Sequence, residues 1–206
     1  KLRSILRILT KLFPHPRCAL RYKKPFELLV AVILSAQCTD KRVNEVTKKL
    51  FKKYKTLDDY VFANPTEFEK DIYSTGFYKN KTRNIIAATK AVKKDFKGKI
   101  PRTMGEMLII PGVGRKTANV VLGELYGNTE GIAVDTHIIR LSRLLGLTKH
   151  TDASKIERDL MKIVPEKDLV RFSHMLILYG MEYCHAHCKH AHCPLRKFRH
   201  EKTVCG

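Results

Sequence analysis

Apolar residues in this chain recur three and four positions apart in segment after segment, and no stretch sustains strict alternation. Val43, Val46, Leu50 and Phe51 form one stripe, Ile85, Thr89, Val92 and Phe96 a second, and Ile156, Leu160, Ile163 and Val164 a third. Such a pattern buries helix faces and offers no sheet surface, so the expected fold class is all-α. Helix starts are marked in the same sequence. Asn64-Pro65-Thr66-Glu67 supplies an N-cap, a proline at the first helical position and a glutamate at the third. Thr103-Met104-Gly105-Glu106 reads as a capping box. At ordinary helix and loop lengths the chain has room for about nine or ten helices. Phe26 to Ala36 and Leu169 to Tyr179 are apolar nearly all round, which places both in a core.

Charge narrows the class of partner. Forty Lys and Arg against twenty Asp and Glu give a net charge of +20 in 206 residues. That excess favours a polyanion, most often nucleic acid, over a merely basic solubility surface, a ribosomal role or a membrane surface. Hydrophobic residues make up 44%, enough for a packed core. No run reaches the roughly 18 apolar residues of a membrane span, so no membrane partner is expected. Lys1 to Lys24 holds eight basic residues and no acid, with Leu2, Ile5, Leu6, Leu9, Leu12 and Phe13 on one stripe. A mitochondrial presequence has that composition. An amphipathic helix of the mature fold, stopped by Pro14 and Pro16, accounts for it better.

Ile110 to Thr117 read I-P-G-V-G-R-K-T, and Val134 to His137 read V-D-T-H. In the first segment Leu108, Ile109 and Ile110 end a helix, Pro111 and the glycines turn the chain, and a new helix begins. The N–H groups of Val113, Gly114 and Arg115 are then placed to bind a phosphate oxygen at the positive end of that helix. A plain corner between helices is the simpler alternative. The net charge and the neighbouring Lys116 favour the phosphate site.

Lysine is ordinarily protonated at neutral pH and is then a poor nucleophile. The helix N-terminus, Arg115 beside it and burial against a docked substrate would each favour the free amine at Lys116, which could then attack an electrophilic sugar carbon. Asp135 stands where the helix of Ile138, Ile139, Leu141, Leu144 and Leu145 should start, where the helix dipole favours a carboxylate. A helix from Gly114 to about Tyr126 travels on the order of 18 Å. The connection from Gly127 to Val134 spans up to about 26 Å, so the two helix starts can come together. The alternatives are a phosphate contact for Lys116 and a simple cap for Asp135.

These residues carry a resemblance. I-P-G-V-G-R-K-T-A-N-V-V followed by I-A-V-D-T-H-I-I-R is similar to the helix–hairpin–helix, glycine/proline-rich, aspartate superfamily of DNA glycosylases, and most of all to its endonuclease III family. The likeness continues in Pro25-Phe26-Glu27-Leu28-Leu29, in Leu34 to Asp40 (L-S-A-Q-C-T-D) and in Gly76 to Lys81 (G-F-Y-K-N-K), and so covers nearly the whole chain.

The resemblance implies excision of oxidised pyrimidines from damaged double-stranded DNA after the nucleotide is flipped from the stack. By the same resemblance Lys116 is the amine that attacks C1′ and forms an imine, after which β-elimination cuts the strand 3′ to the lesion. Asp135 supports activation of that amine and the developing positive charge. Gln37 fills the hole left by the flipped nucleotide, and Phe77 stands where the family has an apolar wedge, usually leucine. Pro111, Gly112, Val113, Gly114 and Arg115 bind backbone phosphate, with a monovalent cation on the hairpin carbonyls. Relatives that only remove bases lack the lysine at position 116.

Six cysteines are present, and four of them, Cys184, Cys188, Cys193 and Cys205, crowd the tail with spacing C-x3-C-x4-C-x11-C. Without a secretory signal that clustering points to a metal or cluster site. The resemblance implies a [4Fe–4S] cluster, although the family spacing is C-x6-C-x2-C-x5-C. Aligned on the first and third cysteines, the family's second ligand falls on His190 and its fourth near Arg199. Four thiolates suffice for a cluster. Five of the nine histidines (His185, His187, His190, His192 and His200) share the segment, so zinc is the rival metal. Either would fold a basic loop containing Lys189, Arg196, Lys197 and Arg199 onto DNA.

The expectation is a two-lobed, all-α glycosylase fold. A helical barrel with the helix–hairpin–helix spans Lys23 to Glu130, and a second lobe joins the N-terminal residues 1–22 to Gly131–Gly206 with its cysteine loop. The expected protein is an intracellular monomer, both glycosylase and lyase. The rivals are a mismatch or alkylation glycosylase that leaves the strand intact, and a DNA-binding module without catalysis.

Overall fold

The structure, a computed structural model, describes residues 1–127, 130–186 and 193–199. Among the described residues the regular structure is wholly helical, with eleven α-helices and three 3₁₀ turns. The surplus over the expected number lies in short helices. α4 (Leu57–Val61) has five residues and α7 (Met104–Ile109) six, too few for a helical period to show. None of the described helices is long and apolar enough to cross a membrane.

The chain forms two compact units, Cys18–Gly127 and Lys1–Arg17 with Asn128–Gly206. The first is built around α2 (Pro25–Leu34), which buries every residue from Glu27 to Leu34. Its one buried charge, Glu27, serves its own helix start, accepting from the backbone N–H groups of Lys23 at 2.7 Å and Lys24 at 3.1 Å. Against α2 pack α3 (Asp40–Lys53), α6 (Tyr78–Asp95) and α8 (Arg115–Tyr126), while α4 and α5 (Pro65–Ile72) lie on α6. Tyr54, Tyr60 and Phe68 fill the space beside α3 and α5, with ring centroids 5.1 to 6.0 Å apart.

In the second unit α11 (Leu169–Glu182) packs against both α1 (Leu2–Leu12) and α9 (Thr136–Leu144), and α10 (Ala153–Ile163) lies on α9. Ile5 and Leu9 of α1 are fully buried, so the basic N-terminal stripe is core of this unit. Gly180 of α11 permits a close approach, since a Cβ there would lie 2.6 Å from Nδ1 of His137 in the first turn of α9.

Capping follows the sequence closely. Thr39, Thr56, Asn64, Thr103, Asp135 and Asp152 each accept a hydrogen bond from the N–H three residues on. At Thr103 the expected capping box is altered, because Glu106 Oε2 accepts from the Thr103 hydroxyl at 2.8 Å. One expected stripe position is exposed: Ile163 ends α10 facing solvent, and Val164 beyond it is buried. At the end of α7, Leu108 and Ile109 face out and Met107 and Ile110 face in.

Candidate active site and nucleic-acid interface

The hairpin is built from few hydrogen bonds. The N–H of Ile110 donates to Met107 O at 3.2 Å, and that of Val113 to Ile110 O at 3.1 Å. The Val113 N–H therefore closes the turn and is not available to a phosphate, which corrects the expectation of three free donors. Gly112 holds φ +76°, and a Cβ there would sit 2.7 Å from Cβ of Asn84 on α6. Both backbone angle and space require glycine at that position. Gly114 differs. It is the extended N-cap of α8, nothing of the protein lies within 4 Å of where its Cβ would be, and its N–H has no acceptor among the described residues. That N–H stands at the positive end of α8, open to an anion. Pro111, Arg115 and Lys116 are exposed around it. Lys116, second residue of α8, has no hydrogen-bond or ion-pair partner among the described residues.

Gln37 and Phe77 share a backbone feature that sequence reasoning did not foresee. Both are left-handed, at φ 52° and 47°, a region that residues with a Cβ seldom occupy. Both side chains are exposed, Phe77 to 63%. Phe77 follows Gly76 (φ +70°) and begins α6, and beside it Tyr73 packs on Tyr78 with ring centroids 4.8 Å apart. Within the same unit Lys81, a residue with no role in the sequence reading, is buried, and its ammonium donates to Thr75 O at 2.8 Å.

Asp135 is the N-cap of α9. Its Oδ1 accepts from the Ile138 N–H at 2.8 Å, leaving Oδ2 without a hydrogen bond among the described residues. The capping bond alone fixes the orientation of the carboxylate.

Cys184 and Cys193 are both buried and border one cavity with Leu141, Tyr179, Leu195 and Arg199. The Arg140 guanidinium donates to Cys184 Sγ at 3.5 Å and also to its carbonyl. Cys193 Sγ donates to Tyr183 O at 3.2 Å, and the Leu195 N–H donates to the Tyr179 hydroxyl at 3.1 Å. Burial pushes the Tyr179 hydroxyl pKa up, so it stays protonated. Cys188, Cys205 and Lys189 lie outside the described residues, and among the described residues no three His, Cys, Asp or Glu gather as a metal site.

Residues 30–166 match the sequence model of the HhH-GPD superfamily of base excision DNA repair proteins. The chain is 49% identical to endonuclease III of a Synechocystis strain over 198 residues, covering 93% of this chain and 90% of that protein. The chain belongs to the endonuclease III family. Endonuclease III of Bacillus subtilis is 46% identical over 89% of this chain and 84% of its own length. A solved structure of a trapped endonuclease III–DNA covalent intermediate superposes with a TM-score of 0.91 at 43% identity, covering 97% of this chain and 94% of that one. A thermostable thymine-DNA glycosylase shares the fold at 21% identity, with a TM-score of 0.82. The endonuclease III family thus accounts for the all-helical fold and for nearly the whole chain.

Proposed function

We propose that this protein is a bifunctional DNA glycosylase and abasic-site lyase of base excision repair, acting on oxidised pyrimidines in duplex DNA. Membership of the endonuclease III family supports the activity. The observation that carries the mechanism is the unpartnered Lys116 ammonium at the start of α8, next to the exposed N–H of Gly114. In this reading the hairpin takes a backbone phosphate on Gly114 and Arg115. Loss of a proton from the Lys116 ammonium to solvent, which Asp135 supports, frees its lone pair. The freed lone pair attacks C1′ of the flipped nucleotide, and the C1′–N bond breaks with its electron pair leaving on the base. Opening of the sugar ring at O4′ gives an imine between Lys116 and C1′. Loss of a proton from C2′ then moves its electron pair toward C3′ and expels the 3′ phosphate. Asp135 also offsets the positive charge that develops on the sugar.

Two buried sulfurs lining one cavity, with Arg140 and Arg199 to balance thiolate charge, suit a thiolate-bound metal group. Cys184 and Cys193, with Cys188 and Cys205, would hold a [4Fe–4S] cluster, which when bound ties the C-terminal segment together. The iron content and visible absorbance of the purified protein check this, and bound zinc in a colourless protein would replace the cluster.

The test of the activity is borohydride trapping on a duplex containing an abasic site. The wild-type protein forms a covalent adduct and Lys116→Gln forms none while still binding DNA. An adduct that survives in Lys116→Gln removes the lysine from the chemistry. Duplex binding without adduct or cleavage by the wild type favours a binding module.

A further inference from the structure

One face of α6 reaches both the hairpin and the turn before Phe77. Lys81 and Asn84 are three residues apart and so share that face. Asn84 abuts Gly112 of the hairpin. Lys81 is only 4% exposed, an environment that lysine enters rarely and only when tied to something. Its ammonium donates to the carbonyl of Thr75 at 2.8 Å. Thr75 is itself buried, and its hydroxyl donates to Ile72 O at 2.8 Å, so the carbonyl is a fixed acceptor. Two residues on comes Phe77. Burial lowers the pKa of the Lys81 ammonium, because desolvation disfavours its charged form. The lysine therefore stands beneath the turn whose tip residue, Phe77, is left-handed. Such a conformation is strained in a residue with a Cβ and persists only where its surroundings dictate it.

We propose that Lys81 is a positioning residue whose buried ammonium, held on the Thr75 carbonyl, fixes the turn of Phe77 in the left-handed backbone from which its side chain enters the duplex. It touches no reacting atom. It keeps that turn in shape before DNA arrives, so the stack is opened against a rigid wedge. The proposal rests on the glycosylase–lyase reading and on the insertion of Phe77.

The experiment compares borohydride trapping by wild type, Lys81→Met, Phe77→Ala and the double variant on two substrates, an abasic site in a fully paired duplex and the same site in a single strand. A single strand has no paired stack to open, so a wedge matters little there. Lys81→Met is expected to slow trapping on the duplex by about tenfold or more and on the single strand by about twofold at most. The double variant should trap on the duplex no more slowly than the worse single one, since both remove the same wedge. Equal losses on the two substrates, or losses that multiply in the double variant, would mean that Lys81 serves only the core and would overturn the proposal. If Lys81→Met does not fold, Lys81→Gln is read in the same way, and failure of both to fold also overturns it. A wild type that traps on neither substrate refutes the underlying activity instead, a distinct result.

Discussion

In the proposed reading a single carboxylate at position 135 has two separable duties. Oδ1 caps α9, and Oδ2 would serve the reaction. Asparagine keeps a capping oxygen and loses the charge. Asp135→Asn is therefore expected to keep its melting temperature, with stability changed by no more than ~0.5 kcal/mol, while strand cleavage falls on the order of a hundredfold. Asp135→Ala should lose the activity and also about 1 kcal/mol of stability with the cap. Thermal melts beside single-turnover cleavage separate the two, and full cleavage by Asp135→Asn would leave this residue a cap alone. The capping duty was readable from the sequence, since Asp at a helix start has one common use. The fate of the Val113 N–H was not. Whether it closes the turn or faces a phosphate depends on the backbone angles of Pro111 and Gly112, which no residue pattern specifies.

At the scale of elements, the start of α9 depends on how near α11 can come. Gly180 sets that distance, because an added Cβ would meet both Nδ1 and Cβ of His137, two residues after Asp135. Gly180→Ala is expected to push the helices apart, destabilising the protein by roughly 1 to 3 kcal/mol and slowing catalysis while DNA affinity holds. Equilibrium denaturation and trapping rates check this, and a fully active, equally stable variant would show that His137 simply rotates aside. Hydrophobic period located most helices correctly, yet it misplaced Ile163. That residue lies in the last turn of α10, where an apolar residue completes a stripe in sequence after the helix has run past its neighbour. Lys81 escaped notice for the opposite reason. A lysine breaks an apolar stripe and reads as surface, and only the segments packed around Lys81 make it interior.

For the whole molecule the net charge of +20 dominates encounter with DNA. Binding should weaken steeply with salt, log K falling by about 0.9 per log unit of salt for each phosphate neutralised. Lys116→Gln should shorten that slope by no more than about one contact. Anisotropy titrations from low to physiological salt measure this, and an affinity indifferent to salt would sink the phosphate-binding account of the surface.

By itself the sequence determined the helical class, the caps, the basic surface and the family signature, since each depends on residues close together along the chain or on composition. The hairpin glycines and Lys116 were legible for that reason. Only the tertiary structure decided that α1 is core, that Val113 closes its turn and that Gly112 yields to Asn84. It also decided that a lysine with no reason to be buried lies beneath the strained turn of Phe77. Burial is a property of what surrounds a residue on every side, and the chain supplies those neighbours from segments far apart in sequence.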